Sequence, residues 1–396
     1  KKEGGVGVRR LMYVMVMLMA ISLSGCGHKV EMSQIGIVAG LGIDQTENGY
    51  LMTAQVVNPS SIAGNQHDTL SVFSISGEGE TLFDAYRSLN SLTAKVLYLP
   101  HLSVIVVNED IAQSGIDPVV DFVLRNVMIR PNITLVVANH TTAREVLNVL
   151  TPSEQIPINQ LNSLSNLCLT CTGREVNYNL YQVSGMVNDP SSNIVLNSVS
   201  IDSKEKSEEG DIQNVLQMEA PSQLKIDSLA AFQGDQLVGY LTSKEAQYYN
   251  LLVGTSKRYV VTTVLDDEYK LSYEVRESKV DVKPNLETNK VTVGCEVKGI
   301  LMENGYPSDL MNPVNVSDLE AALGNQLKQD IQSFIDKTQN ELASDIIGVG
   351  GKVHQKNPKK WAEVSGYWED IYPELEFDVK VKLEITSVGD AANLKE

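Results

Sequence analysis

The chain has 396 residues, 50 of them acidic and 32 basic, for a formal net charge of −18. That balance argues against nucleic acid and against flat adhesion to anionic lipid. With 42% hydrophobic and 21% charged residues, the composition is that of a globular chain long enough for two or three domains with their own cores.

The front of the chain sets the compartment. Arg9-Arg10 precede an apolar run from Leu11 to Leu23, the n-region and h-region of a secretory signal and too short for a spanning helix of about 20 residues. The run ends in Leu23-Ser24-Gly25-Cys26, which resembles the bacterial lipobox. The resemblance implies that Cys26 becomes the lipidated N-terminus, carrying a covalent diacylglycerol and an N-acyl chain. One acyl chain holds a protein to a membrane only marginally, at about 0.8 kcal/mol per CH₂, whereas two or three hold it essentially permanently. The opening Lys1-Lys2-Glu3-Gly4-Gly5 reads like a translated ribosome-binding site, so translation is expected to begin at Val8 or Met12.

Four cysteines are too few for a disulfide scaffold. Cys168 and Cys171 form a lone CxxC in a Ser- and Asn-rich setting, without the strand and βαβ context of a thioredoxin motif, and read as structural or incidental. The histidines His28, His67, His101, His140 and His354 are scattered without ligand spacing, so no metal site is expected. No G-x-G-x-x-G, Walker loop or nucleophile elbow is present, and no catalytic residues are assigned.

In chain order, strand-like runs at 35–44 and 50–57 flank an Asn48-Gly49 turn, and a third strand is expected near 70–76. A helix opens at Thr81 with Leu82, Ala85, Tyr86, Leu89 and Leu92 on one face. The near-continuous apolar run at 102–107 reads as a strand, buried on both faces if helices cover it, and 133–138 as the next strand, the two separated by a helix with Pro118 at its first position. Thr142-Ala-Arg-Glu145 is a capping box for the next helix. Beyond Ser163 the composition turns polar, and 201–222 reads as a charged linker.

The second half predicts a strand at 229–232, a turn at Gln233-Gly-Asp235, a run at 236–241 leading into a helix from Ser243, and strands at 259–265, 269–276 and 291–301. A second capping box, Ser317-Asp-Leu-Glu320, starts a helix of some 28 residues carrying Leu319, Leu323, Leu327, Ile331, Ile335, Leu342 and Ile346. Asn357-Pro358 caps a shorter helix with Trp361, Val364, Trp368 and Ile371 on one side, stopped by Pro373, and a last strand alternates from 375 to 385. The fold class is therefore mixed α/β and α+β: several domains, with mixed sheets flanked by helices.

Three blocks carry a family resemblance. Leu229-Ala-Ala-Phe-Gln-Gly-Asp-Gln-Leu-Val-Gly-Tyr-Leu241 and the stretch Ile347-Gly-Val-Gly350, Lys352-Val-His354, Pro358, Trp361, Trp368 and Tyr372-Pro373 are similar to segments of the Ger(x)C family of spore germination lipoproteins. Ile37-Val-Ala-Gly-Leu-Gly-Ile-Asp44 and Pro100-His-Leu102 fit its N-terminal half, although Gly27-His28 replaces the aromatic residue and Asp common after the lipidated Cys. The expected boundaries are a signal at 1–25, an N-terminal germination-protein domain at 26–200, the linker at 201–222, a C-terminal domain at 223–390 and a tail at 391–396, with one large block able to subdivide.

The resemblance implies a non-enzymatic C subunit of a nutrient germinant receptor, held at the outer face of the spore inner membrane beside membrane-embedded A and B subunits. A basic island of Lys352, His354, Lys356, Lys359 and Lys360 beside Trp361 is the candidate partner surface, set against the reading of a solvated helix start with a core Trp. The rivals are a solute-binding lipoprotein of a transporter, for which no repeated lobes are visible, and a surface thiol oxidoreductase resting on Cys168 and Cys171 alone.

Overall fold

The computed structural model describes residues 7, 11–16, 34–58, 70–167, 172–203, 210–255, 258–265, 268–306, 310 and 312–388. Leu23, Ser24, Gly25 and Cys26, the Cys168 and Cys171 pair, and residues 204–209 lie outside them. Among the described residues no helix is long and apolar enough to cross a membrane.

The first half begins with strands β1 (Ile35–Thr46), β2 (Gly49–Val57) and β3 (Val72–Gly79), helix α1 (Leu82–Leu89), and strands β4 (Val96–Tyr98) and β5 (Val104–Val107). Helices α2 (Glu109–Ser114) and α3 (Asp117–Arg125) lead to β6 (Thr134–Ala138), and α4 (Ala143–Asn148), α5 (Ile158–Leu167) and α6 (Leu180–Val187) to β7 (Val195–Ser203). A short α7 (Gln213–Leu216) precedes β8 (Ser222–Gln233) and β9 (Gln236–Leu241). These strands make one mixed nine-stranded sheet in the order β3-β2-β1-β5-β6-β7-β8-β9, with β4 also pairing β1. The middle ladders β1/β5, β5/β6 and β6/β7 are parallel, and the outer ladders on both sides are antiparallel.

Parallel strands need crossovers, and the helices that supply them cover both faces. Ile105 and Val107 of β5 enter the core under α1, α2, α3 and α6, whereas Val104 and Val106 enter a separate core with Ala143, Val146, Ile158 and Leu161 of α4 and α5. This explains the unbroken apolar runs. Helix α1 ends at Leu89, so Leu92, expected on its inner face, lies beyond it and is 56% exposed.

The second half comprises α8 (Ser243–Val253), β10 (Tyr259–Leu265), β11 (Tyr269–Asn285), β12 (Lys290–Asn304), α9 (Pro313–Asn340), α10 (Val349–Lys356), α11 (Pro358–Val364), α12 (Trp368–Ile371) and β13 (Glu376–Ser387). Strands β10-β11-β12-β13 form a four-stranded sheet, antiparallel except for the parallel β12/β13 pair. Helix α9 crosses its inner face with Leu319, Leu323, Leu327, Ile331 and Ile335 buried.

Helix α9 does not start at the Ser317 capping box. It starts at Pro313 behind Asn312, whose side chain accepts from the Val314 N–H, because Pro at the first position and an Asn cap are themselves sufficient. It ends at Asn340; Ala343 takes φ 47°, and Leu342 and Ile346 pack into the core from the loop that follows. The single helix expected after Pro358 is three short pieces, α11, a 3-10 turn at Ser365–Tyr367, and α12.

The two sheets share a core. On β8, Leu229 and Ala231 face the second-half cluster while Ala230 and Phe232 face the first-half one. Strands β8 and β9, which follow the charged stretch in sequence, thus complete the first sheet in space.

Candidate functional site

Asp44, at the end of β1, is buried and accepts the Ala143 and Arg144 N–H groups at 2.7 and 3.0 Å, at the start of α4. Asp235, in the β8–β9 turn, accepts the Asp117 N–H through its side chain (3.3 Å) and the Ile116 N–H through its carbonyl (2.9 Å), at the start of α3. Asp345 accepts from the Val349 and Gly350 N–H groups (2.9 and 2.7 Å) at the start of α10 and from the Trp368 indole N–H (2.9 Å).

Each aspartate places its carboxylate on the free N–H groups of a helix start, far away in sequence for Asp44 and Asp235 and one turn ahead for Asp345, where the backbone dipoles favour negative charge. Burial nevertheless pushes the Asp44 and Asp345 carboxyls above the usual aspartate range.

The closing block is a packing joint. A Cβ on Gly350 would meet Trp368 Nε1 at 2.9 Å and Ser191 O and Trp361 at 3.0 Å. Trp361 and Trp368 pack edge to face at 5.3 Å, and the Tyr372 hydroxyl bonds Thr338 at 2.6 Å. The Gln339 amide donates to the Tyr372 and Leu375 carbonyls, both at 2.9 Å, fixing the chain around Pro373 onto α9. Ser344 Oγ donates to the Phe232 carbonyl of β8 (2.6 Å). These residues tie the two sheets together and hold no exposed reactive group. Burial pushes the thiol of Cys295 up to about 12, which fits a core residue rather than a nucleophile.

The basic island is only partly a surface. Lys352, His354, Lys356, Lys359 and Lys360 are exposed, but Trp361 is 5% exposed and belongs to the core. Helix α11 turns it inward under the His354 ring, centroids 5.9 Å apart. His354 and Lys356 sit in the last turn of α10, where the dipole favours cations, and Lys360 pairs with Glu363 at 3.0 Å. A partner could use the four lysines and the exposed imidazole but not the indole.

Two concavities lie in the first half. An apolar groove of about 720 Å³ between α1 and α3 is lined by Tyr50, Phe83, Tyr86, Phe122 and Met128, with Arg87 and Arg125 also on its lining. A polar cleft of about 530 Å³ lies where the chain enters β5 and β6, lined by His101, Arg130, Asn132, Asn162, Asn177 and Gln182 among others. Sequence reading missed both. The run of Asn and Ser after residue 158 was the one available signal for the cleft, and residues from four separated segments assemble it. Among the described residues no group of His, Cys, Asp or Glu is arranged to hold a metal ion.

Comparison with known proteins follows this geometry. Residues 28–201 match the model described as spore germination protein N-terminal domain, and residues 227–389 match spore germination B3/GerAC like, C-terminal. The chain is 28% identical over 403 residues to spore germination protein KC of Bacillus subtilis (strain 168), covering 96% of each. It is 23% identical to spore germination protein B3 of the same organism over 95% of this chain and 97% of the relative. The crystal structure of the GerBC protein shares the fold, with a TM-score of 0.53 at 22% identity, over 88% of this chain and 97% of that one. With both domain models matched in order and relatives aligned end to end, the chain belongs to the Ger(x)C family of spore germination proteins.

Proposed function

We propose that this chain is the lipid-anchored C subunit of a spore nutrient germinant receptor, a non-enzymatic component that acts in germination by assembling with membrane-embedded A and B subunits. The ordered match of both germination-protein domains over most of the chain carries the reading. Two further observations support it. The motif blocks serve as joints rather than as a reaction centre, and residues 23–26, which resemble a lipobox, precede the body of a chain whose net charge is −18. The acyl groups on Cys26 would hold that body at the outer face of the spore inner membrane of an endospore-forming bacterium.

Co-purification from spores tests the assembly. A tagged chain brings A and B subunits with it, and recovery of the chain alone from intact membranes overturns the reading. Cys26→Ala moves the chain from the membrane to the soluble fraction if the thiol bears the anchor. Paired reversal of Lys356 and Lys359 to Glu weakens the complex if the exposed basic island is a docking face; unchanged recovery of the partners removes that surface from the proposal.

A further inference from the structure

The polar cleft has an unusual balance of hydrogen-bonding groups. Six of its lining residues are Asn or Gln, together with His101, Arg130 and Ser103, and among the described residues no carboxylate lines it although the chain carries 50 acidic residues. Five of the six amide oxygens, all but that of Asn177, already accept a hydrogen bond. Asn132 Oδ1 accepts from Asn179 Nδ2 (3.3 Å), Asn162 Oδ1 from Asn166 Nδ2 (3.1 Å), and Asn166 Oδ1 from Asn177 Nδ2 (2.8 Å). Gln182 Oε1 accepts the Asn179 N–H (3.0 Å), and Asn179 Oδ1 accepts the Gln182 N–H (2.9 Å).

The donors are left over. The amide nitrogens of Asn132, Asn162 and Gln182 and the guanidinium of Arg130 make no hydrogen bond to any described residue. The amide network fixes which end of each side chain is spent, so the excess follows from connectivity rather than from single rotamers. His101, whose ring rests against Tyr98 at 5.7 Å, adds an imidazole to the same lining.

A concavity of this size, rich in donors, with one unpaired guanidinium and no carboxylate among its described lining residues, favours a solute rich in acceptor oxygens. Exclusion of carboxylates from one spot in so acidic a chain removes the local repulsion an anion would otherwise meet, and Arg130 offers it a planar fork. We propose that this cleft binds a small soluble oxyanion, a carboxylate or phosphate ester, with its acceptor oxygens on Arg130 and on the Asn132, Asn162 and Gln182 amides. The family motif Pro100-His101-Leu102 then has a role at the lining of a ligand site. The inference gives the subunit a ligand of its own and does not depend on its assembly with A and B subunits, which the co-purification experiment decides separately.

The full chain in nonionic detergent is titrated calorimetrically with glucose 6-phosphate, L-glutamate and neutral glucose. At least one of the two anions saturates the protein in the millimolar range or below, and glucose does not. Arg130→Gln, a change at an exposed side chain without a protein partner, weakens that binding about tenfold or more, and adding Asn132→Asp, which sets a carboxylate among the donors, abolishes it. Arg87→Gln in the apolar groove leaves it unchanged. Unliganded melting temperatures check the fold, and should Asn132→Asp melt early, Arg130→Gln alone decides.

The proposal is overturned if neither anion saturates up to about 20 mM, if glucose binds as well as the anions, or if Arg130→Gln binds as the parent does. Flotation of the Cys26→Ala chain with phosphatidylglycerol vesicles separates a lipid headgroup from a free solute. Vesicle binding that Arg130→Gln abolishes, without saturation by either soluble anion, overturns the soluble ligand in favour of the headgroup.

Discussion

Neighbouring residues of β5 in the nine-stranded sheet enter different cores, Ile105 on one face and Val106 on the other, and both are fully buried. On β12 of the four-stranded sheet, Val293, Cys295 and Val297 are buried while Glu296 and Lys298 stand on the outer face. That outer face is a ladder of opposed charges. Glu277 stands across from Lys298, which stands across from Glu384 and pairs with it at 2.9 Å; Lys279, Glu296 and Lys382 form the next rung with signs reversed. One sheet is therefore sandwiched by helices and the other is half solvated, which is the difference between parallel strands with crossover helices and antiparallel hairpins. Alternating opposite charges across strands also stabilise the pairing and guard a bare sheet face against association.

The sharpest way to break this comparison is a charge on each of two adjacent residues. Ile105→Asp and Val106→Asp each leave an unpaired carboxylate in a core and should each cost more than about 4 kcal/mol, abolishing a cooperative melt. On β12 only the inner position should behave so: Val293→Asp collapses the fold, whereas Glu296→Val stays within about 0.5 kcal/mol. Equal losses at Glu296 and Val106 would show that the outer face is covered after all.

Next in size is the joint between the sheets. Asp345→Ala strands three buried donors, the Val349 and Gly350 N–H groups and the Trp368 indole, and should cost on the order of 3–5 kcal/mol in denaturant unfolding. Its pH dependence has a defined sign. With the folded-state carboxyl raised by burial, the folded chain holds a proton the unfolded chain has released, so stability falls as pH rises from about 3.9 through the raised value and is level above it. Asp345→Asn removes this contribution and makes the profile less steep, leaving the slopes of the same sign that Asp44 and Glu175, also raised by burial, supply. A profile as steep in Asp345→Asn as in the parent would show that the buried carboxyl is not the titrating group.

Gly350→Ala is a smaller test of the same joint. Its new methyl group meets Trp368, Trp361 and the Ser191 carbonyl at 3.0 Å or less, and overpacking of this kind costs about 1–3 kcal/mol. Gly366→Ala, with open space around the added atom, should change the melting temperature little. The smallest effect is expected for Lys356→Glu with Lys359→Glu. Both side chains are exposed, so unfolding should shift by no more than about 0.5 kcal/mol, and any effect on receptor assembly would report docking rather than folding.

Residue pattern alone was enough for most strands and for the three capped helices α1, α4 and α8, since a Thr at the cap with an acidic residue three positions further on is a local signal. Helix α6 was missed although Asn179 and Gln182 form the same kind of box, because a short element in an Asn- and Ser-rich stretch offers little apolar periodicity. Strand β7 was missed for a related reason: its Val195-Leu196-Asn197-Ser198-Val199 core places Asn197 inside, where the side chain bonds the Val176 N–H and carbonyl, and a buried Asn reads as a loop until its partners are known.

Legible in the residues alone were the alternation that separates a half-solvated sheet from a sandwiched one and the motif blocks that point to the family, both of which depend on residues near one another in the chain. Tertiary structure decided what the motifs do. Asp44, Asp235 and Asp345 find helix starts 99, 118 and 4 positions away, and Trp361 turns from a candidate contact into core. It also decided that β8 and β9 complete a sheet begun two hundred residues earlier and that amides from three segments meet in one cleft, because hydrogen-bond satisfaction and burial are settled by neighbours in space, which local sequence does not name.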